Sequence, residues 1–138
     1  MTNLPCILIV EPDSKMVHPY DIFAQLYPNT VELIRYETLN QAEKDLLSLS
    51  PVLVLLSCSF SPIKSVEFLE HFKNTFVDQL IPLVFVVDLS KPVSRVLGTK
   101  WGKKVGLLHT LSAKAEIVAT LNRVQARLPK AVSLVITS

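Results

Sequence analysis

Three groups of residues have types and spacings that could do chemistry. The first is acidic. Glu11 and Asp13 close one apolar run and Asp88 closes another. If these carboxylates met, they would suit a hard divalent cation such as magnesium, which takes oxygen ligands. Their plainer role is in turns and helix caps, and Asp13 stands where it could cap a helix starting at Ser14 or Lys15. The second group is nucleophilic. Ser57, Cys58 and Ser59 follow the run Val52–Leu56, and His109 ends a later run. A hydroxyl or thiol nucleophile needs an adjacent base or a lowered pKa. Nothing in the spacing brings His109 to Cys58 or Ser57, so a structural thiol and a structural histidine are the simpler expectation. The third is Trp101, set among Lys100, Lys103 and Lys104. Tryptophan beside cations can anchor a protein partner, bind single-stranded nucleic acid, or fold back over the edge of a core. His18 and His71 match no metal-ligand spacing.

Composition narrows these choices. The 138 residues carry a formal net charge of +2, too little to argue for nucleic acid. The basic clusters at Lys100–Lys104 and at Arg123, Arg127 and Lys130 read as solvated faces. Apolar residues make up 49% of the chain, which argues against disorder and suits a sheet covered on both faces. The length fits one domain. The longest apolar runs, Val52–Leu56 and Leu83–Val87, are too short to span a bilayer. No basic leader precedes a long apolar stretch in residues 1–10, so a cytoplasmic protein is expected, with Cys6 and Cys58 as reduced, buried thiols. With only three glycines there is no glycine-rich phosphate cradle, and the acids of the first loop, EPDSKM, oppose phosphate. No cofactor is expected.

These residues must be positioned by alternating elements. Cys6–Val10 reads as a strand, followed by a helix over Ser14–Tyr27 in which Pro19 sits early and offers an alternative start, since proline is best tolerated in a first turn. Val31–Tyr36 is a strand of mixed polarity, and Asn40 caps a helix over Gln41–Leu49. Val52–Leu56 has the continuous apolarity of a strand buried on both faces. A helix over Ser65–Phe76 carries Val66, Leu69, Phe72 and Phe76 on one stripe. Leu80–Val87 and Val105–His109 are strands, and Pro92, Gly98 and Gly102 confine any helix between them to Val93–Leu97. A last helix over Ala113–Leu128 places Ile117, Leu121, Val124 and Leu128 on one face. Residues 129–138 read either as a short extra strand or as a frayed tail. Strands and helices in alternation imply a parallel sheet with right-handed crossovers. The expected fold class is a flavodoxin-like three-layer α/β sandwich: five strands in the order 2-1-3-4-5, helices on both faces, and sites at the C-terminal strand ends.

Over residues 6–128 the sequence resembles the receiver domains of two-component response regulators. The phrases ILIVEPD, SPVLVLLS, IPLVFVVD and VGLLHTLSAKAEI resemble the family's first, third, fourth and fifth strands with their following turns. The resemblance carries the family's acidic pair onto Glu11 and Pro12, with Asp13 one step later. It carries the phosphoacceptor aspartate onto Ser57 and the switch hydroxyl onto Val87, with Asp88 beside it. The lysine falls on Thr110 and the proline after it on Leu111. Only Glu11 keeps its chemical type. Aspartyl phosphorylation needs a carboxylate nucleophile, a magnesium ion and a cation for the developing charge. No Asp or Glu lies between Val52 and Val66, so the missing nucleophile survives any slip of alignment.

The expectation is therefore a non-phosphorylatable pseudo-receiver that is no enzyme. It would bind a signalling kinase, a regulator or its own copy, and the family resemblance directs attention to the face carrying Trp101, Lys100, Lys103 and Lys104. The alternatives are a small α/β enzyme using Cys58 or Ser57 with His109, or a nucleic-acid-binding module built on Trp101.

Overall fold

Three apolar pentads build the centre of the sheet. Cys6–Val10 (β1), Leu53–Ser57 (β3) and Leu83–Val87 (β4) are buried at every residue. Such strands can only lie inside a parallel sheet covered on both faces. The computed structural model describes residues 4–27, 31–75, 81, 83–88, 106–109 and 112–125. In it, β1, β3 and β4 lie between Glu32–Tyr36 (β2) and Gly106–His109 (β5) in a parallel sheet of order β2-β1-β3-β4-β5. This is the order expected from the sequence. The exposed and half-buried residues of β2 follow from its place at the sheet edge.

Side chains alternate across the sheet, so each strand feeds two cores. Ile7, Ile9, Leu53, Leu55, Val84 and Val86 pack with helix α1 (Tyr20–Leu26) and helix α4 (Lys114–Gln125). Leu8, Val10, Val54, Leu56, Phe85 and Val87 pack with helix α2 (Leu39–Leu49) and helix α3 (Pro62–Thr75). Phe68 and Phe72 of α3 stack with ring centroids 6.5 Å apart. Truncating a fully buried side chain such as Phe68 would cost about 3–5 kcal/mol. Among the described residues no helix is long and apolar enough to cross a membrane.

Several boundaries differ from the sequence expectation, each for a local reason. Helix α1 starts at Tyr20 rather than Ser14. Pro19, which follows a cis peptide bond, precedes it and has no N–H to give. Upstream, Asp13 closes a turn instead of capping a helix: its Oδ1 accepts the Lys15 N–H at 2.9 Å, and its carbonyl accepts the Met16 N–H at 3.0 Å. Helix α2 is capped by Thr38, not Asn40. The extended Thr38 places its hydroxyl 3.2 Å from the Gln41 N–H. Helix α3 begins three residues early, at Pro62, because Ser61 accepts the Lys64 N–H at 3.2 Å and proline suits the first helical position. Its buried face is Ser65, Phe68 and Phe72, while Val66 and Leu69 are only half-buried. Strand β4 begins at Leu83, β5 at Gly106, and α4 at Lys114. In α4, Ile117 and Leu121 are buried as expected. Phe76, the Val93–Leu97 helix, Leu128 and residues 129–138 lie outside the described residues.

Candidate functional site

The sheet's alternation decides what arrives at its C-terminal edge. Ile7 and Ile9 face the α1 side, and Glu11 continues that phase one step beyond β1, where its N–H meets the Tyr36 carbonyl at 3.0 Å. Arg35 pairs with Ile9 across the β1–β2 register and shares its face. Leu53, Leu55 and Ser57 follow the same phase in β3. Carrying the Val10–Leu56 pairing one residue further sets Glu11 beside Ser57.

Glu11 is 1% exposed. An ionised carboxylate so placed is costly unless its oxygens are satisfied. Both are. The Tyr20 hydroxyl donates to Oε1 at 2.8 Å, and the Asp13 N–H donates to Oε2 at 3.1 Å. Burial, the nearby Glu11 charge and this hydrogen bond all push the Tyr20 phenol above its ordinary range, so it stays a donor. Arg35 completes the cluster. Its Cζ lies 5.4 Å from the Tyr20 ring centroid, its Nη1 donates to the Met16 carbonyl at 2.7 Å, and its Nη2 donates to the Asp13 carbonyl. One guanidinium thus holds both ends of the turn that carries Asp13.

A second tie spans the sheet edge. Nε2 of His18 lies 2.6 Å from the Ser112 carbonyl, joining residues 94 apart in sequence. A carbonyl only accepts, so this nitrogen carries the proton. The other ring nitrogen is 3.6 Å from Oδ1 of Asp21.

The ends of β3 and β4 are different in kind. Ser57 is 1% exposed, and its hydroxyl accepts the Ser59 N–H at 3.2 Å. The Cys58 N–H donates to the Val86 carbonyl at 2.9 Å. Its side chain turns into the α2–α3 core with no exposed surface. Burial first, and the Glu11 charge second, push the Cys58 thiol up to about 12. That is the reverse of an activated nucleophile, which needs a lowered pKa. The geometry therefore opposes the expected alternative in which Cys58 attacks with help from His109. Val87, at the switch-hydroxyl position, is buried hydrocarbon, and half-buried Asp88 follows it. His109 pairs with Val87 at the end of β5. Cys6 and Cys58 are both buried and unbridged, as expected.

The less favoured of the two readings of Glu11, Asp13 and Asp88, a cation site, finds no support in this arrangement. Among the described residues no group of three or more His, Cys, Asp or Glu is placed to hold a metal ion. Glu11 gives one oxygen to Tyr20 and the other to a backbone amide, while Asp13 turns its carboxylate to Lys15. Magnesium demands near-octahedral oxygen ligation, and the residues present do not fit it. Thr110, Leu111, Trp101, Lys100, Lys103 and Lys104 lie outside the described residues.

Two residues of the cluster were invisible to sequence reading as functional. Tyr20 reads there as one apolar position of a helix, and Arg35 as a polar position of an edge strand. A signal did exist. Arg35 shares the phase of Val31 and Leu33, which pack against the α1 core, and a charge in an apolar phase marks a buried partner.

No family model matches the sequence, and no curated protein matches it. Solved structures do match. The signal receiver domain of a signal transduction histidine kinase from Syntrophus aciditrophicus superposes with a TM-score of 0.68 at 16% identity, covering 91% of this chain and 93% of that one. The signal receiver domain of an HD domain-containing protein from Pseudomonas fluorescens Pf-5 gives 0.65 at 15%, covering 88% and 94%. The non-phosphorylated HemR receiver domain from Leptospira biflexa gives 0.63 at 19%, covering 91% and 97%. At these identities the likeness establishes a shared fold: the chain has the flavodoxin-like architecture of a response-regulator receiver.

Proposed function

We propose that this receiver-fold chain is a pseudo-receiver, a protein-binding module of two-component-type signalling that performs no phosphoryl transfer. One observation carries the reading. Ser57, a hydroxyl, ends β3, where the fold's phosphoacceptor would be a carboxylate, and no acid lies from Val52 to Val66. The Ser57 oxygen already accepts the Ser59 N–H, and both oxygens of the adjacent Glu11 carboxylate already accept hydrogen bonds, so the two are not arranged as a nucleophile and its base. The neighbouring thiol is held protonated by burial. With the switch position occupied by Val87, there is also no hydroxyl at the end of β4 to sense a phosphoryl group.

The partner in this reading is a signalling kinase, a regulator or a second copy of the chain, in the cytoplasm. Docking is assigned to the sequence around Trp101 with Lys100, Lys103 and Lys104. Regulation comes from partner concentration or from a fused domain rather than from a phosphoryl switch.

Incubation with acetyl phosphate and magnesium is expected to leave the intact mass unchanged. A stoichiometric mass gain that is labile to alkali, as acyl phosphates are, would overturn the reading. Trp101→Ala is expected to weaken self-association or partner binding, measured by sedimentation or calorimetry, with an unchanged unfolding midpoint. Normal association in that variant would move the docking face elsewhere.

A further inference from the structure

We infer that Arg35 and Tyr20 have taken over the work of a divalent cation at this acidic pocket, forming an internal lock on Glu11 and the β1–α1 turn that closes the pocket to metal. The inference deepens the pseudo-receiver reading and rests on it for the identity of the pocket.

A buried carboxylate at the end of β1 needs its charge answered. A bound cation would do so by taking carboxylate oxygens into its own shell, which requires those oxygens to be available and other oxygen ligands to converge. Here the answer is built from side chains. Tyr20 donates to Oε1, the Asp13 amide donates to Oε2, and Glu11 is 1% exposed, so a cation would have to displace these donors to take the carboxylate into its shell. Arg35 acts on this pair through the tyrosine: its guanidinium lies over the ring of the residue that bonds Glu11. The same guanidinium grips the turn through the Asp13 and Met16 carbonyls, using two arms of its planar fork. Asp13, the other acid of the loop, is thereby fixed with its backbone toward Arg35 and its carboxylate toward Lys15. The lock links β2, the β1–α1 turn and the start of α1 through one continuous set of contacts. A pocket that elsewhere would open to exchange an ion is here a closed structural joint.

The test uses the full chain. Wild-type protein titrated with manganese, read by calorimetry and by paramagnetic broadening of amide resonances, is expected to give no saturable binding at millimolar concentrations. Saturable binding that Glu11→Gln abolishes would overturn the lock. Amide exchange supplies the second arm. Arg35→Met is expected to accelerate exchange at Met16, whose N–H bonds the Asp13 carbonyl, by about tenfold or more, because charged hydrogen bonds that fix the turn are lost. Arg35→Lys, which keeps the charge but not the fork, is expected to fall between the two. Unchanged exchange in both variants would also overturn the lock. Should Arg35→Met fail to fold, the lysine variant and the wild-type titration still decide. The two levels fail separately. Acyl-phosphate formation without manganese binding would sink the pseudo-receiver and leave the lock. Manganese binding through Glu11 without phosphorylation would do the reverse.

Discussion

The two halves of the sheet's C-terminal edge make opposite use of similar material. At the β1–β2 end an acid survives, and its bonding capacity is spent inside the protein: Glu11 on Tyr20 and a backbone amide, Asp13 on Lys15, with Arg35 as clamp. At the β3–β4 end no acid follows β3: Ser57, Cys58 and Val87 supply a hydroxyl, a buried thiol and hydrocarbon, and half-buried Asp88 comes only after β4. One end ties a buried carboxylate into a hydrogen-bonded joint, and the other buries a hydroxyl and a thiol whose pKa is raised rather than lowered.

The sharpest way to break this contrast is Ser57→Asp. A new carboxylate would arrive 1% exposed, beside Glu11, with no cation to separate them. Stability is expected to fall by about 3–5 kcal/mol, as for other unpaired buried charges, and urea midpoints would measure it. If magnesium restored the lost stability, the pocket would still accept a cation and the contrast would fail.

Tyr20→Phe asks how much the satisfied end depends on one hydroxyl. Removing the donor leaves Oε1 of Glu11 buried and short of a partner, expected to cost about 1–3 kcal/mol. Thermal unfolding would read it, and a change near zero would mean that the Asp13 amide alone is enough to satisfy the buried carboxylate.

A last test, at the β3 end, is read through pH. The Cys58 thiol is raised from its ordinary 9.0 to about 12. A raised acid pKa stabilises the fold below the unfolded value and loses that contribution as pH rises toward the folded one. Stability is therefore expected to decline between pH 9 and 12, as the unfolded chain's thiol ionises while the buried one stays protonated. Cys58→Ala is expected to flatten the onset of that decline, measured by chemical denaturation across the range. An equally steep onset would assign the alkaline loss to Tyr20 or Tyr36, whose phenols are also raised.

The fold was legible in the sequence because its signal is redundant. Runs such as CILIV and LVFVV are apolar at every position, and only a strand covered on both faces buries them all. Helix starts were less legible, because a cap is decided by one hydroxyl: Thr38 and Asn40 both suit the role, and the extended backbone at Thr38 chose between them. The absence of acids from Val52 to Val66 was plain in the sequence, because it needs no folding to be seen. The satisfied end was not, since Tyr20 and Arg35 meet Glu11 only after three elements have packed, and no spacing in the chain encodes that meeting.

The Arg35 clamp has one more consequence, for how the outermost strand aligns. Strand β2 mixes polarity along its length, so its hydrophobic pattern alone specifies its alignment weakly. A slip of one residue would send Arg35 to the α2 side and bring Ile34 or Tyr36 into its place, breaking both carbonyl bonds at once. The guanidinium therefore favours this one alignment of the strand over its neighbours by the two carbonyl bonds that only it allows.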